Sequence, residues 1–225
     1  MSYFTVAIDG PAVSGKSSAA KQLAGRLGCL YLDSGAVYRC ITLASLRGLK
    51  MEIDDLEAKL DELEIKLVPL SAGQGCRIEM KGEDVNQEIR TQKVTDKILP
   101  ISGNPRVRAW VVEFLRHLSR GQSVVMDGRD IASVVFPDAE HKFFVTASVE
   151  ARAQRRKADL GQGEDLDLET LAKAIAERDH GDQNRKVGPL VQVAQATLVD
   201  NSELGLSETV DIMYRQIKEN QERGT

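Results

Sequence analysis

The sequence contains little cysteine and few aromatic residues, has no excess of positive charge, and lacks any long apolar run. Three cysteines in 225 residues cannot build a disulfide framework, and their spacing does not fit a zinc site. The net charge of −4 argues against a bulk electrostatic attraction to DNA or RNA. No apolar run reaches the ~18 residues of a membrane span, and the first lysine is Lys16, so a signal peptide is not indicated. We therefore expect a cytoplasmic monomer without nucleic-acid or membrane partners.

Short apolar strands alternate with helices along most of the chain. A hydrophobic content of 42% and a charged content of 28% indicate an ordinary globular protein, and the length fits one α/β domain with insertions. Predicted strands cover residues 4–8, 29–32, 123–126, 142–146 and 197–199. Predicted helices cover residues 16–27, 35–46, 54–63, 91–99, 105–118, 149–160, 168–179 and 207–219. This alternation predicts a three-layer α/β fold with a parallel five-stranded sheet, in a single domain spanning residues 1–225.

The region near residues 64–82 interrupts this alternation. The segments EIKLVPL and CRIEM alternate polar and apolar residues with a period of two, and they flank the turn-like segment SAGQG. We therefore predict a small antiparallel β-hairpin inserted into the α/β domain.

Residues 10–17, GPAVSGKS, match the phosphate-loop pattern G-x-x-x-x-G-K-[ST] between a predicted strand and a predicted helix. The backbone N–H groups of such a loop can surround a phosphate, and the positive end of the following helix favours an anion. Lys16 supplies a compact cation for the β- and γ-phosphate oxygens, and the Ser17 hydroxyl is a hard oxygen ligand suited to Mg²⁺. The residues expected to bind ATP are Gly10, Pro11, Ala12, Val13, Ser14, Gly15, Lys16, Ser17 and Ser18.

Two carboxylates could support a magnesium ion beside this loop. Asp127 follows the apolar run SVVM, and an acidic residue at the end of a neighbouring strand can hold Mg²⁺ or its waters. Asp9 ends the strand that leads into the loop. We expect the metal at Ser17 and Asp127, and the sequence does not decide whether Asp9 takes the supporting role instead.

A phosphate loop by itself does not identify the phosphoryl acceptor, because switches, motors and small-molecule kinases all use one. The guanine-reading motif Asn/Thr-Lys-x-Asp is missing, which weakens the interpretation as a GTPase switch. Arginine stands beside small or acidic residues in the segments 33–39, 104–108, 127–130, 152–157 and 178–185. Transfer between two phosphates brings negative charges together and needs fixed cations of this kind. Alternatively, segment 178–185 is a salt-bridged helix end and segment 152–157 a solvated helix face.

Six segments of the chain resemble motifs of the bacterial cytidylate kinases and occur in the same order. These enzymes are nucleoside monophosphate kinases. The matching segments are IDGPAVSGKS, LDSGAVYR, GEDVNQEIRTQKV, NPRVR, DGRDIASVVFPDA and RDHGDQNR. The resemblance implies a P-loop kinase fold and phosphoryl transfer from ATP to CMP or dCMP with Mg²⁺. It also implies a monophosphate-binding insertion at 36–100, which includes the hairpin, and a closing lid at 152–168.

The resemblance further implies roles for single residues on the acceptor side. Ser34 and Arg39 match residues that hold the acceptor nucleotide, and Arg129 matches one that contacts its phosphate. Arg108 and Asp130 match the pair that reads the cytosine edge. Residues near the ribose and the phosphates are matched by Arg178, Asp182 and Arg185.

The implied lid contains three arginines that would approach the transferring phosphoryl group, namely Arg152, Arg155 and Arg156. Together with the loop they give the expected catalytic set, which is Lys16, Arg129, Arg155, Arg156 and Arg185. Two positions depart from the family pattern. Val13 stands where Gly or Ala is usual, and Leu99 stands where a base-contacting Ser is common.

The chemistry of cytosine agrees with this assignment. Its exocyclic amine is a donor that the Asp130 carboxylate can accept, and Arg108 can donate to the neighbouring ring edge. Uracil presents an acceptor where cytosine has the amine, so it would meet Asp130 with a repelling contact. The alternatives are another P-loop small-molecule kinase, such as a UMP kinase, and a nucleotide-binding regulator without kinase activity.

Overall fold

Eight strands and eight α-helices make up the computed structural model, which describes residues 3–70, 75–160 and 166–223. The strands are β1 (Thr5–Asp9), β2 (Leu30–Asp33), β3 (Lys66–Pro69), β4 (Cys76–Met80), β5 (Glu83–Asp84), β6 (Val124–Gly128), β7 (His141–Thr146) and β8 (Thr197–Asp200). The helices are α1 (Lys16–Leu27), α2 (Ser34–Leu46), α3 (Leu56–Asp61), α4 (Gln92–Gly103), α5 (Pro105–Leu118), α6 (Val149–Leu160), α7 (Leu168–Gln183) and α8 (Leu206–Arg223).

Five parallel strands form the central sheet in the order β2-β6-β1-β7-β8. The side chains of the central strand β1 alternate between its faces, as the pleat requires. Val6 and Ile8 join the core cluster that includes α1 and α8, whereas Ala7 joins the cluster that includes α2 and α5. The predicted three-layer α/β fold with a parallel five-stranded sheet is therefore confirmed.

The strand register brings several acidic residues to one edge of the sheet. Asp33 of β2 lies opposite Asp127 of β6, and Asp9 of β1 lies opposite Gly128. Ligands of open α/β sheets bind beyond the carboxyl ends of the strands. The phosphate loop follows β1 at this same edge, so the fold places the loop beside the acidic residues.

The inserted hairpin is present, and it is larger than the sequence pattern indicates. Strands β3 and β4 pair antiparallel, and the short strand β5 adds to β4 as a third strand. Residues 71–74, which belong to the predicted turn, lie outside the described residues. The assignment of residues 36–100 to monophosphate binding stays a prediction.

Three helices run further than the sequence predicts. The helix predicted to end at residue 219 continues as α8 to Arg223. The helix predicted to end at residue 99 continues as α4 through Pro100 to Gly103, because Ile101 and Ser102 are buried in this last turn. The helix predicted to end at residue 179 continues as α7 to Gln183, and its last turn buries Asp182. The sequence also gives no sign of the π-helical turn Ile131–Val135 that follows β6. No helix in the described ranges is long and apolar enough to cross a membrane.

Candidate active site

A cavity of about 260 Å³ opens between the phosphate loop, α2, α4 and α7. Its cationic lining residues are Lys16, Arg39, Arg90, Arg129, Arg156, Arg178 and Arg185, and its acidic ones are Asp33, Asp127, Asp130 and Asp182. Seven cations against four carboxylates make this a positive region in a chain of net charge −4. Such a concentration of one charge selects polyanionic ligands.

The phosphate loop has the close backbone contacts and left-handed residues that its pattern predicts. A side chain at Gly10 would overlap the carbonyl group of Val145 in β7, so only glycine fits there. Gly15 starts α1 with a φ of 81°, in the left-handed region. Val13 also has a positive φ, 59°, which is costly for a β-branched side chain. Its side chain packs against a small cluster with Leu171, and this contact offsets part of the strain.

Lys16 is buried at the start of α1, with 5% of its surface exposed. Its Nζ atom donates to the Pro11 carbonyl at 3.1 Å. Burial lowers the pKa of Lys16 to about 7, and the nearby positive charge of Arg129 lowers it further. A phosphate placed in the loop would supply the opposite charge and favour the protonated ammonium group.

Asp127 joins the phosphate loop to β2 through two short hydrogen bonds. The Ser17 hydroxyl donates to Asp127 Oδ2 at 2.6 Å, and the Tyr31 hydroxyl donates to Asp127 Oδ1 at 2.7 Å. Burial raises the pKa of Asp127, and the neighbouring Asp33 carboxylate raises it further. Ser17 and Asp127 thus present two hard oxygen atoms side by side. No group of three or more acidic, His or Cys side chains with a metal-binding arrangement occurs in the described part of the chain, so a cation here would need ligand oxygens as well.

Asp9 faces a different partner. Its two carboxylate oxygens each accept a backbone N–H at 2.8 Å, one from Ile131 and one from Ala132. The carboxylate therefore holds the start of the π-helical turn that follows Asp130. Burial raises the pKa of Asp9 to about 7, against the effect of these two donors. Of the two carboxylates that the sequence leaves open, Asp127 is the one in contact with Ser17.

The raised pKa of Asp9 predicts a pH dependence of stability. Between pH ~4 and ~7 the folded protein keeps a proton on Asp9 that the unfolded chain has released, so this group makes the free energy of unfolding fall as pH rises. Asp9→Asn cannot ionise. The free energy of unfolding of Asp9→Asn minus that of the wild type should therefore increase by roughly 2–4 kcal/mol as the pH rises from ~4 to ~7.5. Urea titrations across this range test the prediction, with Asp138→Asn at an exposed position as the matched control substitution. A flat difference between Asp9→Asn and the wild type would contradict it.

Asp182 organises two of the predicted arginines at the far side of the cavity. It is 2% exposed, accepts from Arg129 Nε at 2.6 Å, and forms an ion pair with Arg185. Burial alone would raise the pKa of Asp182, but the two guanidinium groups lower it below its usual range. The carboxylate therefore stays ionised and fixes both arginines.

Three further predicted arginines line the same cavity. Arg39 donates to the Ile89 carbonyl at 3.1 Å and to the Thr95 hydroxyl at 2.9 Å. Arg156 donates to Gln92 at 3.2 Å. Burial lowers the pKa of Arg178 to about 10, and the charge of Arg129 adds to this effect. Such crowding of cations is costly unless an anion enters between them.

Arg108 and Asp130 are in direct contact, and their role in reading the base stays a prediction. They form a buried ion pair, and Arg108 also donates to the Ser102 carbonyl at 3.0 Å. The guanidinium carbon of Arg108 lies 5.7 Å from the centre of the Tyr38 ring. Asp130 lines the cavity, and Arg108 stands behind it. Ser34, also in the cavity lining, donates to the Asp127 carbonyl at 2.8 Å.

The remaining two lid-region arginines lie against the outside of the phosphate loop. Arg155 donates to the Asn201 side chain at 3.0 Å and to the Asn201 carbonyl at 2.6 Å. Arg152 is buried in an ion pair with Asp179. Among the three, Arg156 is the one that reaches the cavity described above. The catalytic role of Arg155 stays a prediction.

Several lining residues were not selected from the sequence. Tyr38 and Arg90 lie inside the quoted segments LDSGAVYR and GEDVNQEIRTQKV, so their signal was available. Ile98 and Ser102 lie on α4 without any motif to mark them. Leu99, noted from the sequence as a departure from the family pattern, lines the cavity one turn before Ser102.

The chain is similar to proteins of known family over nearly its whole length. The chain matches the family model described as cytidylate kinase over residues 6–219. A cytidylate kinase from Desulforamulus reducens is 44% identical over 207 residues, which cover 92% of this chain and 93% of that protein. A cytidylate kinase from Ligilactobacillus salivarius is 42% identical over 218 residues, which cover 95% and 96%. A solved structure of an uncharacterized protein from Eubacterium ventriosum shares the fold, with a TM-score of 0.55, 13% identity and coverage of 97% of this chain and 99% of that one. The chain belongs to the cytidylate kinase family.

Proposed function

We propose that this chain transfers the γ-phosphoryl group of ATP to CMP or dCMP, which yields ADP and CDP or dCDP. The observation that carries the proposal is one positive cavity that is lined both by Lys16 of the phosphate loop and by Asp130, which is paired with Arg108 behind it. A donor triphosphate and an acceptor monophosphate would meet between them. Membership of the cytidylate kinase family supports cytosine as the acceptor base.

The donor side consists of the loop from Gly10 to Ser18. Its amides and the N-terminus of α1 would bind the phosphates of ATP, and Lys16 would neutralise the β- and γ-oxygens. The adjacent oxygens of Ser17 and Asp127 fit Mg²⁺, which binds through one or two protein oxygens and keeps waters or phosphate oxygens as further ligands. When bound, Mg²⁺ would supply positive charge that lowers the repulsion between the phosphates of the two nucleotides.

On the acceptor side, Asp130 would accept a hydrogen bond from the cytosine amine, and Arg108 orients its carboxylate. Burial raises the pKa of Asp130, and the charge of Arg108 opposes this effect. Arg129 and Arg185, both fixed by Asp182, would bind the acceptor phosphate. Fixed guanidinium groups suit this role because their donors match phosphate geometry and need no rearrangement. The same side of the cavity holds Ser34, Arg39 and Arg178, which we assign to the acceptor nucleotide.

Phosphoryl transfer of this kind is direct, from the donor to the acceptor oxygen, and needs no covalent intermediate on the protein. The chain contributes positioning and charge neutralisation, with Arg156 and Arg155 completing the catalytic set. Closure of a lid at 152–168 would exclude water from the transferring group. Its loop, residues 161–165, lies outside the described residues. Residues 36–100 would close over the monophosphate. We also keep the sequence-based proposals of a monomeric state and a cytoplasmic location.

A panel of acceptors tests the proposed reaction. ADP release is measured with ATP and Mg²⁺ in the presence of CMP, dCMP, UMP or AMP, with EDTA as the metal-free control. We expect CMP and dCMP to give the highest kcat/KM. A preference for UMP would favour the alternative of a UMP kinase. Nucleotide binding without ADP release for any acceptor would favour a non-catalytic regulator.

Gly188 provides a test of the base-reading pair. Its φ of 58° is left-handed, and an added Cβ would overlap both the Arg108 guanidinium and the Asp130 carboxylate. Gly188→Ala should therefore displace the pair and lower kcat/KM for CMP by about tenfold.

Gly121→Ala is the matched control for this substitution. Gly121 has a similar φ of 72°, but an added Cβ there would meet nothing within 4 Å. Both variants carry the backbone strain, of order 1–3 kcal/mol, and only Gly188→Ala disturbs the pair. Equal kcat/KM values for CMP in the two variants would show that Gly188 has no part in base recognition.

A further inference from the structure

Three consecutive residues of the phosphate loop, Ala12 to Ser14, are held from outside by α6, by α7 and by Asn201. Val13 packs on a small apolar cluster formed by α6 and α7. The Ser14 carbonyl accepts from Asn201 Nδ2 at 2.9 Å and from Arg155 of α6 at 3.4 Å. The strongest attachment, however, is made to Ala12.

Both polar groups of the Ala12 backbone form hydrogen bonds to side chains from outside the loop. Its N–H donates to Asp179 Oδ1 of α7 at 3.2 Å, and its carbonyl accepts from Arg152 Nη1 of α6 at 3.1 Å. Arg152 and Asp179 also form an ion pair with each other. Arg152 Nε donates to the Ala147 carbonyl at 3.0 Å, which anchors the guanidinium to the end of β7. Arg152 and Asp179 are 5% and 8% exposed, so solvent screens this arrangement little.

This arrangement sets which way the amide of Ala12 points. Loops that bind phosphate depend on the direction of each backbone N–H group. Here an external carboxylate takes one of these groups, and an external guanidinium holds the carbonyl of the same residue. The orientation of the loop at Ala12 is therefore determined by α6 and α7 as well as by the loop itself.

We infer that Arg152 and Asp179 are positioning residues that preorganise the phosphate loop for ATP. The assignment rests on the proposed ATP site, and it differs from the resemblance-based expectation that Arg152 approaches the phosphoryl group. Neither side chain lines the cavity described above, and both act through the backbone of Ala12. The inference places two determinants of ATP affinity outside the GPAVSGKS segment. Arg152 and Asp179 follow Ala12 by 140 and 167 residues in the chain.

Isothermal titration calorimetry with ATP and with CMP, each alone, tests the inference. Asp179→Asn keeps the shape of the side chain but places an amide where the carboxylate faces Arg152. We expect the Kd for ATP to rise about tenfold and the Kd for CMP to stay within about twofold. Arg152→Met should give the same pattern. The double variant should be no worse than either single one, because the two side chains act as a unit.

Val111→Ala is the control for general destabilisation. Val111 is fully buried in α5, so its truncation lowers stability without touching the loop, and its ATP affinity should not change. An equal loss of ATP and CMP affinity in Asp179→Asn would indicate damage to α7 as a whole and overturn the inference. Unchanged ATP affinity in the folded variants would also overturn it. If ATP affinity falls as expected but the acceptor panel gives no CDP, the proposed function fails and the positioning role stands.

Discussion

Lys16→Ala should lower kcat on the order of 10³-fold and leave the protein folded. The Lys16 ammonium group is the cation that the phosphate loop places beside the β- and γ-phosphates of ATP. Without it, the negative charge that shifts during transfer loses its nearest fixed counter-charge. Steady-state rates with saturating ATP and CMP, and the melting temperature of each protein, measure the two parts of the prediction.

The expectation of a folded variant follows from the environment of Lys16. Burial and the charge of Arg129 lower its pKa to about 7, so the folded state holds this ammonium group at a cost in the absence of nucleotide. Removing it should not reduce the melting temperature. Lys21→Ala, at an exposed position on the same helix, should keep kcat within about twofold. A folded Lys16→Ala protein with near-normal kcat would refute the phosphate-loop assignment.

Asp130→Asn should lower kcat/KM for CMP by roughly 10–100-fold, while that for UMP changes little or improves. The amide has nearly the shape of the carboxylate, but it can present a donor. A donor suits the 4-oxo group of uracil and conflicts with the amine of cytosine. Because Leu99 replaces a base-contacting serine of the family pattern, we expect the lower end of this range.

The ratio of kcat/KM for CMP to that for UMP is the decisive quantity in this experiment. Asp130 is paired with Arg108 in a buried position, so the substitution also lowers stability, by about 3–5 kcal/mol where a buried partner is lost. Loss of folded protein lowers both activities equally and cancels in the ratio. An unchanged ratio would mean that Asp130 does not read the base, and the phosphate-loop chemistry would be unaffected.

The local features of this protein were predictable from the sequence. The strand, the glycine-containing loop and the helix around Lys16 are contiguous, so composition and spacing are enough to predict them. The five core strands could be predicted because short apolar segments between helices are typical of strands that are buried on both faces of a parallel sheet. Six motifs in the same order, from IDGPAVSGKS to RDHGDQNR, indicated the family, and the family model confirms it.

Long-range contacts could not be predicted in the same way. Spacing places Arg152, Arg155 and Arg156 on neighbouring positions of one helix, yet they meet Asp179, Asn201 and the cavity respectively. A helical period describes which residues lie on one face, and it does not describe what packs against that face.

The fold class, the phosphate loop, the inserted hairpin and the family could all be predicted from the amino-acid sequence. Which of Asp9 and Asp127 contacts Ser17 could be seen only in the folded chain. Both are acidic residues near the carboxyl ends of buried strands, but the Ser17 hydroxyl contacts the carboxylate of Asp127, whereas the carboxylate of Asp9 contacts the amides after Asp130. The physical reason is that strand order and register set the partners of each side chain, and both arise from packing between segments more than 100 residues apart.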